Sequence, residues 1–115
     1  MTFTVTDDQR QTMIRQMGAG NFLACCGGRW FRLPDGMDMP TGEGYHIYVR
    51  YDRGSDLYTV ERVFIRGGKV FHKGKATMVY AEDLGEVCYS ASCYAMDDAK
   101  YWPYDLDKGL VTVVA

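Results

Sequence analysis

Four cysteines and two histidines are the groups in this 115-residue chain with the most obvious chemical potential. The thiols fall at Cys25, Cys26, Cys88 and Cys93, the imidazoles at His46 and His72. A structural zinc site is usually built from two cysteine pairs whose members are close but not adjacent. An adjacent pair followed by a Cys-x4-Cys spacing does not follow that rule, so buried free thiols are expected. If Cys25 and Cys26 lie on a strand, they point to opposite faces. No cysteine, serine or threonine sits in a recognisable nucleophile context, and both histidines fall beside Tyr or Phe in β-type runs. The pairs Gly27-Gly28 and Gly67-Gly68 match neither a dinucleotide fingerprint nor a phosphate-binding loop and read as turns. The expectation is a protein that is not an enzyme and carries no metal or cofactor.

Charge offers a second route to function. Thirteen basic and 15 acidic side chains leave a net charge of −2, which argues against generic coating of nucleic acid, since that needs a field of one sign. The charges are nevertheless segregated. Residues 61–75 carry Arg62, Arg66, Lys69, Lys73 and Lys75 against Glu61 alone. Residues 76–115 carry Lys100 and Lys108 against Glu82, Asp83, Glu86, Asp97, Asp98, Asp105 and Asp107. Lysines and arginines guarding an exposed hairpin edge would explain the basic segment. Its interleaving of Arg62, Phe64, Arg66, Phe71 and Lys73 would also suit base stacking along a single strand. Arg62, Arg66, Lys69, Lys73 and Lys75 therefore form a candidate nucleic-acid surface. The outline resembles that of a double-stranded-RNA-binding domain, and His72-Lys73-Gly74-Lys75-Ala76 echoes the basic segment of that domain. There, however, the lysines open the last helix. Here that helix opens with Glu82, Asp83 and Glu86, which would repel phosphate.

The C-terminal third suggests a different contact. Tyr101, Trp102 and Tyr104 lie among Asp97, Asp98, Asp105 and Asp107, and Tyr and Trp are frequent anchors of protein interfaces. An acidic, aromatic face can imitate nucleic acid toward a protein that handles it; the alternative is that these rings close the end of a small core. The expected partner is a macromolecule, a protein ahead of a nucleic acid.

The elements that must position these groups follow from periodicity. Thr6 and Gln9 form a capping-box pattern, with Asp7 and Asp8 at the positive end of a helix. Met13, Ile14 and Met17 make its apolar stripe, Arg10, Gln11 and Arg15 face away, and Gly18 ends it. Residues 22–26 and 29–33 read as two short strands around Gly27-Gly28, and residues 34–44 as a loop. Residues 45–51 alternate cleanly, with Tyr45, Ile47, Val49 and Tyr51 on one face. Residues 57–66 form a second long strand whose buried face is ambiguous, so that a bulge could switch it midway. Gly67-Gly68 turns into a third run, 69–80, which Gly74 could kink. Leu84, Val87, Cys88, Ala91 and Ala95 then fall at helical spacing, and residues 110–114 suit a last strand. That strand pairs either within the chain or with a second copy, which would make a homodimer. The predicted fold class is α+β: an antiparallel sheet of about five strands with an N-terminal and a C-terminal helix, in the order α-β-β-β-β-β-α plus a tail, as one domain.

In this order the motifs resemble a family of small bacteriophage and prophage proteins. The resemblance is carried by Gln16-Met17-Gly18 with Phe22-Leu23-Ala24, then by Phe31-Arg32-Leu33-Pro34. It continues through Asp56-Leu57-Tyr58-Thr59-Val60, Ile65-Arg66-Gly67 and Val79-Tyr80-Ala81-Glu82-Asp83-Leu84. It spans about residues 10–95 and departs where Cys25-Cys26-Gly27-Gly28 replaces a longer insert, and again after Cys93. It implies a phage-type accessory protein that binds a host or phage macromolecule, and it transfers no catalytic residue. No apolar run approaches the length of a membrane helix, and the first ten residues lack a signal-peptide layout. A cytoplasmic location, in a host cell if phage-borne, is the expectation.

Overall fold

Thr6 begins the first helix as its sequence anticipates. The Thr6 hydroxyl accepts from the Gln9 N–H and the Gln9 carboxamide accepts from the Thr6 N–H, so two donors left over at a helix end are satisfied together. The computed structural model describes residues 4–93 and 110–112. The first helix, α1, covers Asp7–Met17 and buries Met13 and Met17. Arg10, expected to face outward, is buried instead. Its guanidinium donates to the Gly36 carbonyl through Nε at 2.9 Å and to the Leu33 carbonyl through Nη2 at 2.5 Å, and pairs with Asp7 at 2.9 Å. A long cation can be buried when each donor meets an acceptor. Here that arrangement ties α1 to the first turn of the sheet.

The segment read as a strand at residues 22–26 is a second helix, α2, over Ala19–Cys26. Phe22, Cys25 and Cys26 are buried, whereas Leu23 and Ala24 are exposed. That is helical spacing in an apolar run too short for periodicity alone to decide. Gly27, in the left-handed region at φ 64°, caps the helix rather than turning a hairpin. Cys25 and Cys26 therefore share the buried side of a helix.

The sheet has six strands in the order of the chain, every neighbouring pair antiparallel. They are β1 (Phe31–Leu33), β2 (Gly36–Gly42), β3 (Tyr45–Asp52), β4 (Leu57–Arg66), β5 (Lys69–Val79) and β6 (Leu110–Thr112). The stretch 34–44, expected as a loop, supplies β2. Met37 and Met39 alternate into the core with no exposed surface, and Pro40, which has no donor, falls beyond the end of β1, where β2 is an edge. β6 pairs with β5 of its own chain.

Register explains where the core sits. Met37, Val49, Val60 and Ala76 are successive cross-strand partners, as are Met39 with Ile47 and Tyr58 with Val79. All pack against Met13, Met17, Phe22, Cys25 and Cys26 from the helices before the sheet. Leu84, Val87, Cys88 and Ala91 complete that core from α3 (Leu84–Cys93), which follows a single 3-10 turn over Ala81–Asp83. The α+β antiparallel architecture with helices before and after the sheet is as expected. β4 keeps unbroken alternation against β3, with Tyr58, Val60, Arg62 and Phe64 on the helix side. The irregularities are on β5 instead, where residues 73–74 and 77–78 each add one residue against β4. The first contains Gly74 at φ 138°, so the expected kink is a bulge. No helix among the described residues is long and apolar enough to cross a membrane.

Candidate functional site

The end of the β4–β5 hairpin extends the helix-side face of the sheet into solvent. Gly67 and Gly68, at φ 59° and 76°, make a two-residue turn that side-chain-bearing residues adopt poorly. That turn sets the cross-strand partners below it. Tyr45, Phe64 and Phe71 are consecutive partners on β3, β4 and β5, and their rings form a row, with centroids 4.9 Å and then 6.2 Å apart. Exposure rises along the row from buried Tyr45 to Phe71 at 44%. One step outward, Arg66 and Lys69 are partners on the same face. One step inward, Arg62 lies over the Tyr45 ring, its guanidinium carbon 4.2 Å from the ring centre. Phe64, Arg66, Phe71 and Lys73 line one hollow of about 190 Å³.

The five cations anticipated as one nucleic-acid surface are thus divided. Arg62 is 1% exposed. It is a packing cation that holds Tyr45 through its π face, not a surface contact, because alternation turns it toward the helix side just inside the last core row. Lys75 stands on the opposite face as partner of Glu61, since the Gly74 bulge reverses the side on which β5 residues emerge. Arg66 and Lys69 stay exposed at the hairpin end, and Lys73, on the wall of the same hollow, is largely buried at 8% exposure. The acidic and aromatic set Asp97, Asp98, Tyr101, Trp102, Tyr104, Asp105 and Asp107 lies outside the described residues.

The opposite face carries a polar arrangement that single-residue reading missed. His46 Nδ1 bonds the Asp38 carboxylate at 2.7 Å, and His72 Nδ1 bonds the Glu61 carboxylate at 2.6 Å. Asp38, Tyr48 and Glu61 are consecutive partners across β2, β3 and β4; His46, Val63 and His72 are consecutive across β3, β4 and β5. Each histidine therefore leans diagonally toward a carboxylate, with Tyr48 between the two acids. The signal lay in the pairing of strands, which alternation within one strand does not reveal. Facing a carboxylate, which only accepts, each Nδ1 is the donor of its pair. The thiols, however, are on the other side of the sheet. Cys25, Cys26 and Cys88 are buried thiols of the helix-side core, so no imidazole activates them. Among the described residues, no three His, Cys, Asp or Glu side chains are grouped as a metal site requires.

Burial has a measurable consequence for these neutral acids. Burial drives the Cys88 thiol well above its ordinary value of 9.0, and burial also raises Cys26. Burial raises Tyr58 above 10.0, and burial together with the neighbouring Asp38 and Glu61 carboxylates raises Tyr48. Each fold-stabilising contribution is complete below the unfolded-state value and is lost as pH rises through the higher folded value. The urea midpoint should therefore be level near neutrality and fall progressively above about pH 9, first from the thiols and then from the tyrosines. A midpoint unchanged between pH 8 and 10.5 would contradict this account.

Comparison of the chain with protein-family models, curated proteins and solved structures finds no match.

Proposed function

We propose that this chain is a non-catalytic, phage-type accessory protein that binds an anionic macromolecule through the end of its β4–β5 hairpin. The observation that carries the reading is the assembly of Arg66, Lys69 and Lys73 around two partly exposed phenyl rings. In a chain with net negative charge, Arg66 and Lys69 are exposed at this end, and Lys73, only 8% exposed, lines the hollow beside them. The family likeness supports the accessory role, and both an acidic protein surface and a nucleic acid meet the description of the partner. Separation of the buried thiols from both imidazoles by the sheet supports binding over turnover.

Retention on a heparin column tests this directly. The wild-type protein should bind at low salt despite its net charge, and the double variant Arg66→Glu/Lys69→Glu should pass through in the starting buffer. Both residues are exposed, so folding should be unaffected. Passage of the wild-type protein, or equal retention of both proteins, would remove the reading.

A further inference from the structure

The geometry points to single-stranded nucleic acid as the ligand of the hairpin end, with bases stacked on Phe71 and Phe64 and phosphates met by Arg66 and Lys69. This inference rests on the reading of that end as a polyanion site and names its ligand. Charge alone would suit any polyanion; the rings discriminate. Phe64 and Phe71 are direct cross-strand partners with tilted rings 6.2 Å between centroids. Phe71 is 44% exposed although it is large and apolar. An acidic peptide gains little from two such faces, whereas every base presents a π surface to them.

The layering supports the same ligand. From the core outward the helix-side face runs through Arg62 beside Ile47, then the Tyr45–Phe64–Phe71 row, then Arg66 beside Lys69. The Arg62 guanidinium held against the Tyr45 ring makes the inner end of the row rigid. Its outer end is flanked by cations at the turn and by Lys73 on the wall of the hollow. Aromatic faces beside backbone-tracking cations are what sequence-tolerant single-strand binding uses. A duplex hides its bases from such faces.

Fluorescence anisotropy with labelled twelve-nucleotide dT and U oligomers, the matching duplex and poly-glutamate as competitor tests the inference. Both oligomers should bind, with log affinity falling against log salt at a slope of about −1.4, as the two phosphates met by Arg66 and Lys69 on a single strand require. Arg66→Glu should reduce that slope by about 0.7. Phe71→Ala should weaken binding at least about fivefold. Phe71→Leu, which keeps the apolar bulk without the π face, should weaken it as well while leaving the thermal unfolding curve in place. The dT and U arms show whether DNA, RNA or both are accepted. Oligomer affinity unchanged in Phe71→Leu would overturn stacking. Heparin retention with no oligomer binding, or poly-glutamate competing as well as dT, would overturn nucleic acid as the ligand while leaving the polyanion reading intact.

Discussion

Replacing Gly36 with alanine should remove about 3 kcal/mol or more of stability, at the upper end of what overpacking costs. A Cβ at this position would lie 1.7 Å from the Val49 carbonyl oxygen, 2.7 Å from its carbon and 2.9 Å from the Arg50 Cα. All three are backbone atoms of β3, the strand that Gly36 pairs with through Arg50. No rotamer change relieves the collision; the strand itself must move. Movement would also withdraw the Gly36 carbonyl from Arg10 Nε, leaving a buried guanidinium short of an acceptor. For a chain of this length such a loss corresponds to a fall in Tm of roughly 10 °C or more. Gly54→Ala, where an added Cβ meets nothing closer than the Asp52 carboxylate at 3.6 Å, should stay within about 0.5 kcal/mol of the wild type. Urea unfolding of the two variants side by side makes the comparison, and near-equal midpoints would show that the close approach of β2 to β3 is not as described.

Gly85→Ala should also destabilise, by about 2–3 kcal/mol, and here intrinsic propensity gives the opposite sign. In an exposed helix the change gains about 1 kcal/mol. In α3 the added Cβ would sit 2.1 Å from the Met17 carbonyl oxygen and 2.6 Å from the Asn21 amide nitrogen. Those two atoms are joined, because the Asn21 side chain donates to the Met17 carbonyl at 3.1 Å. The clash therefore falls on the backbone at the end of α1 and on the bond that links it to α2. Gly20, within α2, supplies the opposite case: a Cβ there meets nothing within 4 Å. Gly20→Ala should be neutral or stabilising by up to about 1 kcal/mol. Opposite signs for two glycine-to-alanine changes in helices are the expected result. A stabilising Gly85→Ala would mean that α3 does not pack on the α1–α2 junction.

The features that could be read in advance are those whose cause is local. The capping box at Thr6 and Gln9 joins residues three apart, and the Gly67-Gly68 turn needs only its own backbone angles. Alternation in β3 is set residue by residue by the pleat, so Tyr45, Ile47 and Val49 share one face, and it is the buried one. Misreadings occurred where the deciding contact was distant. Residues 22–26 satisfy a strand as well as a helix until Val87, Cys88 and the other side chains of α3 provide something to pack against. Arg10 looks like a solvent-facing cation until the Leu33 and Gly36 carbonyls meet it from the far end of a 26-residue separation.

The candidate site divides along the same line. The alternation of rings and cations through residues 62–73 is a property of the chain, and it carried the basic-hairpin reading. Which of those cations reach solvent was decided by strand register and by one bulge, which sent Arg62 under Tyr45 and Lys75 to the other face. The pairing of His46 with Asp38 and of His72 with Glu61 likewise required three strands in register. A linear sequence encodes near-neighbour geometry directly, because a few covalent bonds limit it. Contacts between distant segments emerge only when the whole core closes, and in this protein they set the expected sign of the Gly85 substitution and the membership of the candidate binding face.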